Sequence, residues 1–119
     1  MRHSDKGHLC EAFAEAWLIS KGYWVFKNRA PTGPIDMIAI HQKTGRQLLL
    51  DVKAVSRYKD GSIRSRIVSA KARELGVQLL YVDLEKGSCR IVKRRKDWMK
   101  KHSKTQYYGK EEFTKISHN

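Results

Sequence analysis

The chain has 119 residues, of which 25 are Lys or Arg and 12 are Asp or Glu, so its formal net charge is +13. This length suits one domain, and a hydrophobic content of 40% excludes wholesale disorder. Two cysteines exclude a disulfide scaffold, and no apolar run approaches the roughly 20 residues of a membrane span. We expect a soluble cytoplasmic protein, or a phage-encoded one acting in the host cytoplasm, whose partner is a polyanion, above all nucleic acid.

The predicted elements follow the order α-β-β-β-α-β-β. A helix over residues 6–21, capped by Ser4 or Asp5, is predicted to face inward through Leu9, Ala12, Phe13, Ala16, Trp17 and Ser20. A second helix is predicted over 63–75, with Ile67, Ala70 and Leu75 facing inward. Strands are predicted over 23–26, 35–40, 47–54, 77–84 and 88–92.

These elements predict a single mixed α/β domain in which helices flank a sheet of about five strands. We interpret residues 1–92 as the compact domain and 93–119 as an appended basic arm, with one short helix near 97–102. Cys10 and Cys89 are interpreted as ordinary small residues of a reducing compartment.

The second and third strands contain the strongest chemical signal. A symmetric hairpin turn between Lys43 and Thr44 would place Asp36 opposite Asp51, with Cβ atoms about 4.5–5.5 Å apart. Two carboxylates so close repel each other unless a cation lies between them, and Mg²⁺ is bound through one or two carboxylates and several waters. Lys53 shares the face of Asp51 and is suited to orienting a water or neutralising charge on a phosphate.

The alternative is an ion pair of Lys53 with Asp51 or Asp36, which leaves one aspartate unpaired. A register shift of one residue would also separate the two carboxylates.

Two motifs, one in the second and third strands and one in the first helix, resemble those of a known family. Gly33-Pro34-Ile35-Asp36, then residues 37–50, then Asp51-Val52-Lys53 resembles the PD-(D/E)XK nuclease motif. Lys6-Gly7-His8-Leu9-Cys10-Glu11 resembles the Lys-Gly-x-x-x-Glu opening of archaeal-type Holliday junction resolvases. Residues 54–69 match no resolvase pattern, so the substrate stays open between branched and duplex DNA.

The resemblance implies a restriction-endonuclease-like core and a Mg²⁺- or Mn²⁺-dependent DNA endonuclease. It implies that Asp36, Asp51 and the Val52 carbonyl bind the metal and that Lys53 positions the attacking water. Glu11 would be a further metal or water ligand, although it lies almost opposite the predicted inward face of the first helix. Glu15 is its substitute.

Basic residues flank the proposed site and are the expected partners of DNA phosphates. They are Lys27, Arg29, Arg57, Lys59, Arg64 and Arg66, with Lys93, Arg94, Arg95 and Lys96 in the arm.

Three functions remain open on the sequence. The first is a homodimeric enzyme acting on branched DNA such as a Holliday junction. The second is a duplex-cutting endonuclease of homing or phage type. The third is a catalytically silent nucleic-acid-binding protein, whereas a membrane-surface protein is disfavoured because the basic residues do not line one face of an apolar helix.

Overall fold

The computed structural model describes residues 1–30, 32–93 and 114–115. Its helices are α1 (His3–Ser20) and α2 (Ala70–Leu75). The strands are β1 (Tyr23–Lys27), β2 (Met37–His41), β3 (Gln47–Ala54), β4 (Gln78–Asp83), β5 (Ser88–Ile91) and β6 (Thr114–Lys115). They form one mixed sheet in the order β1-β2-β3-β4-β5-β6, in which β3 and β4 are parallel and all other neighbours antiparallel.

The predicted α/β class and the predicted order of elements over residues 1–92 are confirmed. Strand β6 pairs with β5, so two residues of the predicted arm belong to the sheet. The helix expected near 97–102 and the basic residues Arg94, Arg95 and Lys96 lie outside the described residues. Neither helix of the described part of the chain has the length and apolarity that a membrane crossing requires.

The sheet has two faces of different character. We call the first the α1 face, because its side chains pack against the buried residues of α1. Its core members are Met37, Ala39, Leu48, Leu50, Val52, Leu80, Val82 and Cys89. Strand alternation places the remaining side chains on the other face, which we call the Asp51 face. On β1–β3 these are Trp24, Phe26, Ile38, Ile40, Leu49, Asp51 and Lys53.

Helix α1 buries a different stripe from the predicted one. Its buried residues are Cys10, Ala14, Trp17 and Leu18, whereas Leu9 is 43% exposed. The helix also begins at His3, and its N-cap, Arg2, makes no side-chain cap hydrogen bond. The prediction was right for Trp17, which is buried, and for Phe13, which packs against the core. It was wrong for Leu9, Ala12, Ala16 and Ser20, which are exposed. Apolar residues lie all round this helix, so packing against the sheet rather than periodicity selects the buried face.

Helix α2 is much shorter than predicted. It begins at Ala70, where Ser69 caps it by accepting a hydrogen bond from the Ala72 N–H at 3.1 Å, and it ends at Gly76 in the left-handed conformation. Before it, Arg57 and Ile63 form an isolated antiparallel bridge. The expected inward positions of Ile67, Ala70 and Leu75 were wrong, because all three are exposed, Ile67 to 93%, and Ala72 is the buried residue of α2.

The two cysteines are buried free thiols, Cys10 in α1 and Cys89 in β5. Burial raises the pKa of the Cys89 thiol to about 12, and its neighbour Cys10 acts in the same direction. Both cysteines therefore serve as small core residues.

Candidate functional site at the start of β2 and the end of β3

Asp36 lies one residue before β2. The antiparallel ladder pairs Met37 with Leu50, and the Asp36 N–H also donates to the Leu50 carbonyl at 2.8 Å. Asp36 and Met37 thus both face Leu50, as in a β-bulge. The Asp36 side chain continues the contact, since its Oδ2 accepts a hydrogen bond from the Val52 N–H at 2.7 Å. At Val52, the Asp36 carboxylate therefore accepts the hydrogen bond that a main-chain carbonyl of β2 would accept in a continued ladder.

Asn28 organises the loop that delivers Asp36. Its backbone N–H donates to the Asp36 carbonyl at 2.9 Å. Its side-chain amide donates to the carbonyls of Thr32 and Ile35, at 2.9 and 3.0 Å, and its Oδ1 accepts from the Ala30 N–H at 2.9 Å. Sequence reasoning missed this residue. The only signal was an asparagine at the start of a Pro- and Gly-containing loop, where side-chain hydrogen bonds to the backbone are common.

Asp51 and Lys53 project from β3 on the Asp51 face, as predicted. The Lys53 Nζ lies 3.4 Å from the Asp51 Oδ1, and the two side chains are 39% and 24% exposed, respectively. The Asp51 carboxyl also lies near enough to that of Asp36 for Asp36 to raise the pKa of Asp51. The structure therefore brings together three of the predicted site residues.

The pKa of Asp51 is raised to about 6. Burial is the largest cause, and the Lys53 ammonium, the next largest, opposes it. The neighbouring Asp36 raises the pKa further. The charged form of Asp51 is therefore disfavoured in this partly desolvated place, although one ammonium lies nearby.

The backbone of Val52 faces the space that precedes the start of β2. Successive residues of a strand direct both main-chain polar groups to alternate neighbours. Because the Val52 N–H is directed at Asp36, the Val52 carbonyl is directed to the same side, whereas Val55 donates to Val82 of β4. The predicted ligand set of two carboxylates and one carbonyl thus lies along one margin of β3.

The two glutamates of α1 lie on the other face of the sheet. Glu11 is half-buried beside Cys10, next to the buried stripe rather than opposite it, because that stripe is rotated from the predicted one. Glu15 forms an ion pair with Lys27 at 3.5 Å. The charged groups that shift the pKa of Asp51 are Lys53 and Asp36. A role for Glu11 as a ligand remains a prediction.

The predicted phosphate contacts fall into two groups. Arg57 is engaged within the fold, because it pairs with Asp83 through both its Nη atoms and with Glu85 at 2.9 Å. Lys27 is paired with Glu15, while the exposed basic residues include Arg29, Lys59, Arg64, Arg66 and Lys93. The connection between β3 and β4 reaches the Asp51 face, since the Arg66 N–H donates to the hydroxyl of Tyr81, the register partner of Lys53.

Within the described ranges, no group of three or more His, Cys, Asp or Glu side chains could hold a metal ion. Two carboxylates and a carbonyl nevertheless fit Mg²⁺, which takes one or two carboxylates and completes its shell with water and substrate phosphate oxygens. Asp36 lies near enough to Asp51 to raise the pKa of that carboxyl, and this proximity of two acids favours a cation at this place.

Comparisons of the chain with protein-family models, with curated proteins and with solved structures found no match.

Proposed function

We propose that this protein is a divalent-metal-dependent endonuclease that hydrolyses DNA phosphodiesters. The proposal depends on one observation: the carboxyl groups of Asp36 and Asp51 meet beside the Lys53 ammonium. The order of elements and the mixed sheet support a restriction-endonuclease-like core of the PD-(D/E)XK kind. The charge of +13 favours an anionic polymer as substrate.

Each residue of the candidate site has a distinct role in this proposal. Asp36 and Asp51 would hold Mg²⁺, with the Val52 carbonyl as an additional oxygen ligand. When bound, the ion polarises the scissile phosphate and lowers the pKa of a coordinated water. Lys53 orients the attacking water or offsets the negative charge that develops on the phosphate. Asn28 positions Asp36 by fixing the loop that leads to it.

Branched DNA such as a Holliday junction is the first substrate we propose, and plain duplex is the second. The first choice depends on the resolvase-like segment from Lys6 to Glu11. A symmetric junction needs two cuts, so a homodimer is proposed with it. Cleavage of junction, flap and duplex DNAs with Mg²⁺ separates the two substrates.

Asp51→Asn and Lys53→Ala test the chemistry directly. We expect each to reduce the cleavage rate at least 100-fold, because each removes a group that acts on the reacting phosphate or water. Affinity for the same DNA in EDTA should change by less than about threefold. Asp5→Asn and Lys43→Ala are the matched controls, since both residues are exposed and lie outside the site. Wild-type rates in Asp51→Asn would refute the assignment.

A catalytically silent DNA-binding protein is the second candidate. It is favoured because both carboxylates already have partners within the protein: Lys53 pairs with Asp51, and the Val52 N–H donates to Asp36. Such a protein would bind DNA with strong salt dependence and show no cleavage with Mg²⁺ or Mn²⁺.

A further inference from the structure

Two large aromatic side chains are exposed on the edge of the sheet. Trp24 and Phe26 of β1 are 54% and 55% exposed, whereas Tyr23 and Val25 on the opposite face of the strand are partly buried against the core. Their register partners Ile38 and Ile40 of β2 are only half-buried, as is Leu49 of β3. We call these five side chains the aromatic patch. Contiguous exposed apolar surface of this kind marks a place where a partner binds.

The aromatic patch adjoins the candidate site on the same face. Phe26, Ile38 and Leu49 form a row across three strands, and Asp51 follows Leu49 by two residues. Strand geometry places Phe26 about 10 Å across the strands and about 7 Å along them from Asp51. A nucleic acid whose backbone reaches Asp36 and Asp51 therefore passes within one or two nucleotides of the patch.

Charge selects the occupant of this patch. A second copy of the chain would bring a further +13 against this patch, so self-repulsion disfavours a contact between copies here, and the homodimer proposed above would use another surface. Single-stranded nucleic acid instead offers both groups that this face can use: phosphates for lysines and arginines, and bases whose flat faces stack on aromatic rings. The exposed ring of Tyr58, with the Arg64 guanidinium 4.4 Å from its centroid, adds a further aromatic and basic group in the connection after β3.

The spacing of the two rings favours an unstacked strand. Residues two apart on one face of a strand are separated by about 6.8 Å. Successive nucleotides of a duplex strand rise by only about 3.4 Å. Two neighbouring bases can therefore each cover one ring only where the strand is stretched and unpaired.

We propose that Trp24 and Phe26 form a stacking platform for two unpaired bases of the DNA, so that this protein acts next to unpaired nucleotides rather than within plain duplex. This inference rests on the proposed nuclease function, because it names the class of DNA substrate on which that site would act. The binding step itself is independent of cleavage.

Binding is measured in EDTA, where no cleavage occurs, with a flap DNA that carries 2-aminopurine at the unpaired positions. Trp24→Leu and Phe26→Leu keep an apolar side chain and remove the ring. We expect each to weaken flap binding by about 5- to 100-fold, since one stacked base contributes roughly 1–3 kcal/mol. Affinity for plain duplex should change by less than about twofold. Trp24→Phe should retain most of the flap affinity and the quenching of 2-aminopurine.

Ile19→Ala is the matched control, because Ile19 is equally exposed, at 55%, but lies on α1. Equal flap binding by the wild type and both leucine variants would overturn the platform. So would a wild-type dimer that both variants convert to monomers while their DNA affinity stays unchanged, since the patch would then be a contact between copies. Urea unfolding midpoints of all variants show that loss of binding is not loss of folding.

The two proposals fail in different ways. If the ring variants lose flap binding but the wild type cuts no DNA with Mg²⁺ or Mn²⁺, the platform stands and the nuclease proposal falls. If the wild type cuts plain duplex as fast as flap DNA and the ring variants bind and cut normally, the nuclease stands and the platform falls.

Discussion

At the scale of single residues, Asp51 links the site to the stability of the fold. Its carboxyl is partly desolvated, and the neighbouring Asp36 raises its pKa further. Ionisation of Asp51 is therefore costly in the folded protein, and the Lys53 ammonium only partly offsets that cost. A residue that serves a bound cation is thus expected to reduce stability when the cation is absent.

The pH dependence of unfolding follows from this carboxyl. The pKa of Asp51 is about 6 in the folded protein against an ordinary 3.8, so the folded state holds the proton more tightly. Its stabilising contribution is complete below pH 3.8 and is lost as the pH rises through 6. Asp51→Asn should therefore gain up to about 3 kcal/mol relative to wild type between pH 4 and pH 8, which urea unfolding in EDTA measures.

Mg²⁺ provides the companion measurement. At pH 8 the ion should raise the unfolding midpoint of the wild type and leave Asp51→Asn unchanged, because binding to the folded state alone stabilises it. A constant difference in stability between the two proteins from pH 4 to pH 8 would contradict the raised pKa of Asp51.

At the scale of elements, the start of β2 determines the site. The pairing of β2 with β3 stops at Met37, so the following part of β3 has the Asp36 side chain in place of a neighbouring strand.

Ion pairs of Arg57 hold the region after β3 against β4 and the turn that follows β4. Arg57 pairs with Asp83, which is 1% exposed, and also with Glu85. Burial alone would raise the pKa of Asp83, but hydrogen bonds from Arg57 and from the Lys86 N–H hold it below its usual value.

Arg57→Met tests whether this arginine serves the fold or the DNA. We expect it to lower the free energy of unfolding by about 3–5 kcal/mol, because the Asp83 charge is left buried without its partner. Arg57→Met combined with Asp83→Leu should recover most of that loss. Arg64→Met is the control: this exposed arginine lies in the same connection, so its replacement should weaken DNA binding and change stability by less than about 1 kcal/mol. Equal stability of Arg57→Met and Arg64→Met would show that the ion pair is unimportant.

The hairpin could be predicted from the sequence, whereas the helices could be predicted only in part. Residues 41–46 form a short turn, and alternation across it determines the pairing of Met37 with Leu50, so the meeting of Asp36 with Asp51 followed from local rules. The bulge at Asp36 and the contacts of Asn28 could not be predicted, because they depend on a loop that folds back on itself. The buried face of α1 depends on the shape of the sheet, which periodicity does not encode. The start of α2 at Ser69 had a local signal, a serine cap, that the apolar spacing from Ile63 obscured.

At the scale of the whole molecule, one face of the sheet forms the hydrophobic core and the other holds the candidate site. The α1 face supplies the core, and the Asp51 face combines an aromatic patch, two acids and an ammonium group. Apolar side chains lie on both faces of β2 and β3. On the Asp51 face of the edge strand β1, Trp24 and Phe26 are more than half exposed.

If the protein binds DNA as proposed, its net charge of +13 should make that binding depend steeply on salt. Each phosphate contact that a lysine or arginine makes releases counterions, and the slope of log K against log salt changes by about −0.9 for each contact. Replacing both Lys59 and Arg66 by Gln should therefore reduce the magnitude of this slope by about 2, uniformly across DNA sequences. Lys43→Gln with Lys71→Gln removes the same charge from positions outside the site, and Lys71 is already paired with Glu74 at 3.9 Å. If both double variants lose the same slope, DNA is attracted by the overall charge; if only the first does, it lies along the connection between β3 and β4, beside Lys53.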